Sequence, residues 1–114
     1  MKKLCLIFLL FASLSFSQSP GYKNKKATFI VKGVCEMCKN RIDVGTVRIK
    51  GVKYANWDLT SNNISIIFNS NKIDLDSIQK RIAAFGHDSG IYKASEEVYN
   101  SLPECCFYKT NKPH

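Results

Sequence analysis

The chain of 114 residues is long enough for one domain with a modest hydrophobic core. Its formal net charge of +8 at pH 7 would suit nucleic acid, an anionic membrane surface or an acidic protein as partner. The basic residues are scattered, however, and lack the interleaved aromatic side chains of a single-strand binder. Nucleic acid is therefore excluded as a partner, and a solvated basic surface is favoured.

The first 17 residues have the three parts of a secretory signal peptide. A positively charged start (1–3) is followed by an apolar run (4–14), and small residues precede a cleavage position ahead of Gln18. The apolar run is shorter than the roughly 20 residues that span a bilayer, so an uncleaved anchor is the less favoured alternative. We therefore expect an exported chain, in the periplasm, with no stable membrane insertion after cleavage.

The next segments change from polar to regularly apolar. Residues 18–26 are polar, with a proline and a glycine, which predicts a flexible lead-in. β-Branched and aromatic residues predict a strand over residues 27–31. From Glu36 the apolar residues recur at helical spacing, and Gly51 is the predicted stop of this first helix.

A hairpin is predicted in the middle of the chain. Residues 52–59 read as a second strand with its apolar side chains on one face. Residues 60–63 are Thr, Ser and Asn, which favour a turn because Asn tolerates positive φ. Large apolar residues then recur at every second position of residues 64–69, which predicts a third strand paired with the second.

The second half of the domain completes an alternating pattern. A second helix is predicted from Asp74 or Asp76 to Gly86, with an apolar stripe that faces a sheet. Residues 90–93 are predicted to form a final strand. The predicted order, strand–helix–strand–strand–helix–strand, is that of an α+β ferredoxin-like βαββαβ fold over residues 27–94. In this fold two helices cover one face of a four-stranded antiparallel sheet.

Residues 95–114 are predicted to form a short helical C-terminal extension. Ser95 is a favourable N-cap for a helix that stops before Pro103. The extension then carries two adjacent cysteines, Cys105 and Cys106.

The cysteines carry the most informative pattern. Loss of the signal peptide removes Cys5 and leaves Cys35, Cys38, Cys105 and Cys106. In an exported compartment such thiols are either bridged or held by a metal ion. The segment Cys35-Glu36-Met37-Cys38 lies where the first helix begins, so two thiols point at one ion and the helix dipole favours thiolates. Thiolates select soft ions such as Cu(I) and Zn(II).

A structural disulfide and thiol–disulfide exchange are alternative roles for this C-x-x-C motif. Thioredoxin-like proteins place the motif in a longer α/β unit with a proline near it, and neither Glu36 nor Met37 is proline. Metal binding is therefore the favoured interpretation. The sequence offers no catalytic constellation, because Asp74 and Asp76 are explained as helix-start residues, and we expect a protein that is not an enzyme.

Residues 26–94 resemble the heavy-metal-associated domain, which occurs in copper chaperones, copper-pumping ATPases and periplasmic mercury-binding proteins. The resemblance rests on the first strand, the segment 33–38, the hairpin, the second helix and Gly86. It implies the ferredoxin-like fold, one soft ion bound by Cys35 and Cys38, and a partner protein that receives the metal. Cu(I) is the expected ion, with Zn(II) and Hg(II) as alternatives. The chain departs from the family in its shorter loop, which lacks a methionine before the first cysteine.

Three further residues are candidate ligands. His87 follows Gly86 in the loop that lies beside the metal in the resembling family, so it is a candidate third ligand or a group that orients the ligands; the alternative is an exposed loop histidine. Cys105 and Cys106 could join the ion at Cys35, form disulfides, build a second site or have no special role.

Overall fold

The structure, a computed structural model, describes residues 23–114. The predicted signal peptide (1–17) and most of the predicted lead-in (18–26) lie outside the described residues. Within residues 23–114 no helix is both long and apolar enough to cross a bilayer.

Three antiparallel strands form the sheet: β1 (Asn24–Ile30), β2 (Val52–Trp57) and β3 (Asn63–Asn69). Their spatial order is β1-β3-β2, so β3 lies in the centre. Every second residue of β3 is buried, as the alternation in its sequence predicts. Strand β1 begins three residues earlier than predicted, which shortens the lead-in.

Two helices pack with this sheet: α1 (Glu36–Val47) and α2 (Leu75–Ala84). Each begins at a side-chain cap, because Cys35 Sγ accepts a hydrogen bond from the Cys38 amide and Asp74 from the Ser77 amide. Helix α1 ends at Val47, short of the predicted stop at Gly51. The predicted order of the first five elements is confirmed.

The predicted fourth strand is wrong: among the described residues the sheet has three strands. Residues 90–93 instead belong to a tight turn, in which the amides of Ser89 and Tyr92 each bond to the other residue's carbonyl. Only an isolated bridge joins Ser89 to Val31. Because these backbone groups satisfy one another, few remain to continue the sheet, and Ile91 is left 83% exposed.

The core positions the loop between β1 and α1. Trp57 is buried, and its Nε1–H donates to the Val31 carbonyl over 2.7 Å. The loop lies directly on this indole, since a Cβ on Gly33 would come within 2.7 Å of the ring. The loop is therefore held by the core immediately before the first cysteine.

The C-terminal residues pack back onto the domain. Helix α3 (Glu96–Asn100) leads to a 3₁₀ turn, Glu104–Cys106. Leu102, between them, is 5% exposed and sits on Gly86, which has a φ of +121°. A Cβ at Gly86 would lie 2.6 Å from Leu102 Cδ2. Both this close approach and the positive φ therefore require glycine at position 86.

Candidate metal site

Four cysteine side chains meet between the first loop and the 3₁₀ turn; we call them the sulfur cluster (Cys35, Cys38, Cys105 and Cys106). The Sγ–Sγ distance is 3.0 Å from Cys35 to Cys38, 3.6 Å from Cys35 to Cys106 and 4.0 Å from Cys105 to Cys106. All four are free thiols, and only Cys105 is not buried. The fold thus gathers two cysteine pairs that are about 70 positions apart in the chain.

The first pair owes its placement to the start of α1. Cys35 is the N-cap, and its Sγ accepts from the Cys38 amide over 3.2 Å. Cys38 Sγ in turn accepts from the Val34 amide over 3.5 Å. Both sulfurs therefore accept hydrogen bonds from backbone amides beside the start of α1.

The second pair is divided between the interior and the surface. Cys106 is fully buried, whereas Cys105 is partly exposed and its Sγ contacts Met37 Sδ at 3.5 Å. Burial raises the pKa of the Cys106 thiol, and its neighbours Cys38 and Cys35 raise it further. Its surroundings therefore favour the neutral form of this thiol.

The sulfur separations suit a shared ion. Thiolate sulfurs lie about 2.3 Å from zinc, so two sulfurs on one ion are at most about 4.6 Å apart. The separations of 3.6 and 4.0 Å lie within this limit. The 3.0 Å pair is closer than the about 3.8 Å expected around a tetrahedral ion, so Cys35 and Cys38 must open slightly to bind one.

His87 is buried rather than exposed in its loop. Its Nδ1 lies 2.7 Å from the Lys32 carbonyl, which can only accept, so Nδ1 carries the proton. Its ring stacks on Tyr108 at 5.6 Å between centroids. Among the described residues, the one group of three ligand atoms mutually within 4.8 Å is Cys35, Cys105 and Cys106. His87 stands outside this group and joins the loop between β1 and α1 to the C-terminal extension, through its contacts with Lys32 and Tyr108.

No family model matches the chain. The chain is 34% identical over 70 residues to a copper-exporting P-type ATPase of Staphylococcus saprophyticus, a match that covers 60% of this chain and 9% of the ATPase. It is 26% identical over 54 residues to the copper chaperone CopZ of Staphylococcus epidermidis, covering 47% of this chain and 79% of CopZ. Oxidized MerP from Ralstonia metallidurans has the same fold, with a TM-score of 0.57, 19% identity and coverage of 60% of this chain and 96% of MerP. These similarities support the resemblance of the chain to heavy-metal-associated domains.

The C-x-x-C motif supplies only two of the four sulfurs in the cluster. The matches described above cover 47–60% of this chain. The spacing of Cys35 and Cys38 carried a signal in the sequence, and the structure brings them together as the motif predicts. The contact of Met37 with Cys105 carried none, and neither did the tie of His87 to Tyr108, because these partners are distant in sequence.

The stability of the folded chain is expected to fall between about pH 6.5 and pH 4. The pKa of His87 is lowered to about 4, mainly because the ring is buried. The hydrogen bond to the Lys32 carbonyl acts to raise the pKa, and the charge of Arg41 acts to lower it. An unfolded histidine titrates near pH 6.5, so as the pH falls the unfolded chain takes up the proton first. Above pH 6.5 neither state of His87 is protonated, so His87 does not change the stability with pH. By pH 4 the earlier proton uptake of the unfolded chain removes about 3 kcal/mol of the free energy of unfolding. Urea unfolding at a series of pH values measures it.

His87→Gln is the matched variant for this pH dependence, since the amide is polar but does not titrate here. The carboxylates are common to both proteins, so the difference between their pH profiles isolates His87. Profiles of equal slope between pH 6.5 and pH 4 would contradict the assignment.

Proposed function

We propose that the chain binds a soft metal ion, Cu(I) foremost, for metal trafficking or sequestration, without catalysis. Cys35 and Cys38 are the primary ligands, and Cys106 is a third sulfur. The observation that carries the proposal is the convergence of three buried sulfurs at the start of α1, with separations of 3.0 and 3.6 Å. The copper chaperone and copper-exporting ATPase among the relatives support the same ion.

The arrangement favours two or three sulfur ligands over four. A tetrahedral zinc site would need every pair of sulfurs about 3.8 Å apart. The three cysteines that lie mutually within 4.8 Å include Cys105 but not Cys38, so the four sulfurs do not surround one point. Cu(I) accepts fewer thiolates, and so does Hg(II), which is therefore kept as an alternative ion. Zn(II) remains the alternative that would require the cluster to rearrange.

Burial also bears on the thiol–disulfide alternative. An attacking thiol must reach its substrate, yet Cys35 is 3% exposed and Cys38 is fully buried. Metal ions are small enough to enter where a protein disulfide is not. The structure of the site is therefore better suited to an ion than to disulfide exchange.

An anaerobic titration of the reduced chain with Cu(I), against a coloured competing chelator, tests the proposal. We expect the chain to bind one equivalent of Cu(I) tightly. In a parallel titration with Zn(II) and a zinc-binding dye, we expect the chain to compete less strongly for the metal. Absence of competition for Cu(I) would refute the copper assignment. Tighter Zn(II) binding that requires all four cysteines would replace it with a zinc site.

We also propose that the chain is exported to the periplasm and passes its ion to a second thiol-bearing protein. Residues 1–17 support export, and the partly exposed Cys105 supports transfer. Mass spectrometry of the protein from the periplasmic fraction should show a chain beginning at Gln18. A full-length chain retained in the cytoplasm would contradict export.

A further inference from the structure

Five sulfur atoms form a continuous series from the surface to the interior. Met37 Sδ lies 3.5 Å from Cys105 Sγ, which lies 4.0 Å from Cys106 Sγ. Cys106 Sγ is 3.6 Å from Cys35 Sγ, and Cys35 Sγ is 3.0 Å from Cys38 Sγ. Exposure falls along the same series: Met37 is 49% exposed, Cys105 is partly exposed, and the other three are buried.

We propose that Met37 and Cys105 form a surface position for a soft metal ion, through which the ion enters and leaves the buried thiols. The proposal rests on the proposed function, because it assigns the route to a site that is itself proposed. It adds Met37, a thioether between the two primary ligands in sequence, as a sulfur that binds the ion in transit.

Each step of the series allows the ion to move without leaving sulfur. Neighbouring sulfurs are closer than the about 4.6 Å that two ligands of one ion can span, so the incoming sulfur bonds before the outgoing bond breaks. No electrons are transferred, and the ion keeps its charge throughout. A cysteine that binds releases its proton to water, and takes one up again when the ion moves on.

The chemistry of the two surface sulfurs suits first capture. A thioether has no proton to lose, so Met37 can bind a soft ion at any pH at which the protein is folded. Its unbranched side chain has three rotatable bonds and is half exposed, so it can reach an incoming complex and return. Cys105 then links this flexible ligand to Cys106, since its Sγ lies 3.5 Å from Met37 Sδ and 4.0 Å from Cys106 Sγ.

Packing alone does not account for the contact. A leucine would cover the same apolar surface with a stiffer side chain, and about half of Met37 is exposed to solvent rather than packed. What methionine supplies at this position is a polarizable sulfur, and the structure places that sulfur against the one cysteine of the cluster that is not buried.

The test compares rates with affinities in the reduced full chain. Cu(I) is presented as its complex with a coloured chelator, and stopped-flow absorbance follows loading and removal in wild type, Met37→Leu and Cys105→Ser. We expect each variant to load and unload about ten- to a hundredfold more slowly. The equilibrium affinity should stay within about threefold of wild type, since the final ligands are intact. Val47→Leu, a 43% exposed apolar residue at the far end of α1, is the matched control and should change neither quantity.

The outcomes separate this proposal from the proposed function. Wild-type rates in both variants, with tight binding retained, would overturn the entry route and leave the buried site standing. An affinity loss in Cys105→Ser as large as that in Cys35→Ser would also overturn it, by making Cys105 a holding ligand. If wild type itself fails to compete for Cu(I), the proposed function fails first. Far-UV circular dichroism confirms that each variant is folded before its rates are read.

Discussion

Replacing Cys35 and Cys38 together by serine is expected to lower the Cu(I) affinity by about ten-thousandfold. Thiolate zinc sites with four ligands bind with about 10–16 kcal/mol, or about 3 kcal/mol per ligand, so two lost ligands remove about 6 kcal/mol. Serine offers a hard, neutral hydroxyl that a soft ion does not select. Competition with a coloured chelator under anaerobic conditions measures the loss.

Serine also controls for the fold in this experiment. At position 35 the side chain caps α1 by accepting from the Cys38 amide, and serine is a favourable N-cap that keeps this hydrogen bond. The melting temperature should therefore change little. Cys106→Ser alone should lower the affinity by about a hundredfold, the share of one ligand. Affinity within about tenfold of wild type in the double variant would place the ligands elsewhere.

Leu102→Ala is expected to have the largest effect on stability, with a loss of about 2–5 kcal/mol in the free energy of unfolding. Leu102 is 5% exposed and seated on Gly86, so its truncation leaves a cavity between the C-terminal extension and the domain. The same change should weaken Cu(I) binding by about ten- to a hundredfold, because it loosens the turn that holds Cys106 although it touches no ligand. Urea unfolding followed by the fluorescence of Trp57 measures the first effect.

Ile91→Ala is the matched control for this truncation. Ile91 is also a branched apolar residue, but it is 83% exposed, so its loss should cost less than about 0.5 kcal/mol. Leu102→Ala with wild-type stability would mean that the extension is not held by this contact. Lower stability with unchanged Cu(I) affinity would mean that Cys106 is not a ligand.

The sequence predicted those features that depend on neighbours along the chain. Alternation in residues 64–69 identified β3, because a strand turns every second side chain to one face. The apolar stripe of α2 and its cap at Asp74 identified that helix. Cys35 and Cys38 could be assigned together for the same reason, since one turn at the start of a helix brings them within reach of one ion.

The predicted fourth strand failed because its outcome depended on a competition that the sequence does not show. Residues 90–93 have the composition of a strand, but Gly90 has a φ of +56° and lets the chain turn back. The backbone groups of Ser89 and Tyr92 then pair with each other rather than with the sheet.

The C-x-x-C motif and the periodicity of strands and helices were enough to predict the first five elements of the fold and the proximity of Cys35 and Cys38. Tertiary structure alone decided that Cys106 reaches Cys35, that Cys105 faces Met37 and that His87 is buried. The first two contacts join residues 71 and 68 positions apart, and buried His87 is bonded to Lys32, 55 positions away. They depend on how Leu102 and Tyr108 pack against the loop at Gly86. Periodicity reports which face a residue lies on, whereas packing between distant segments decides what that face meets.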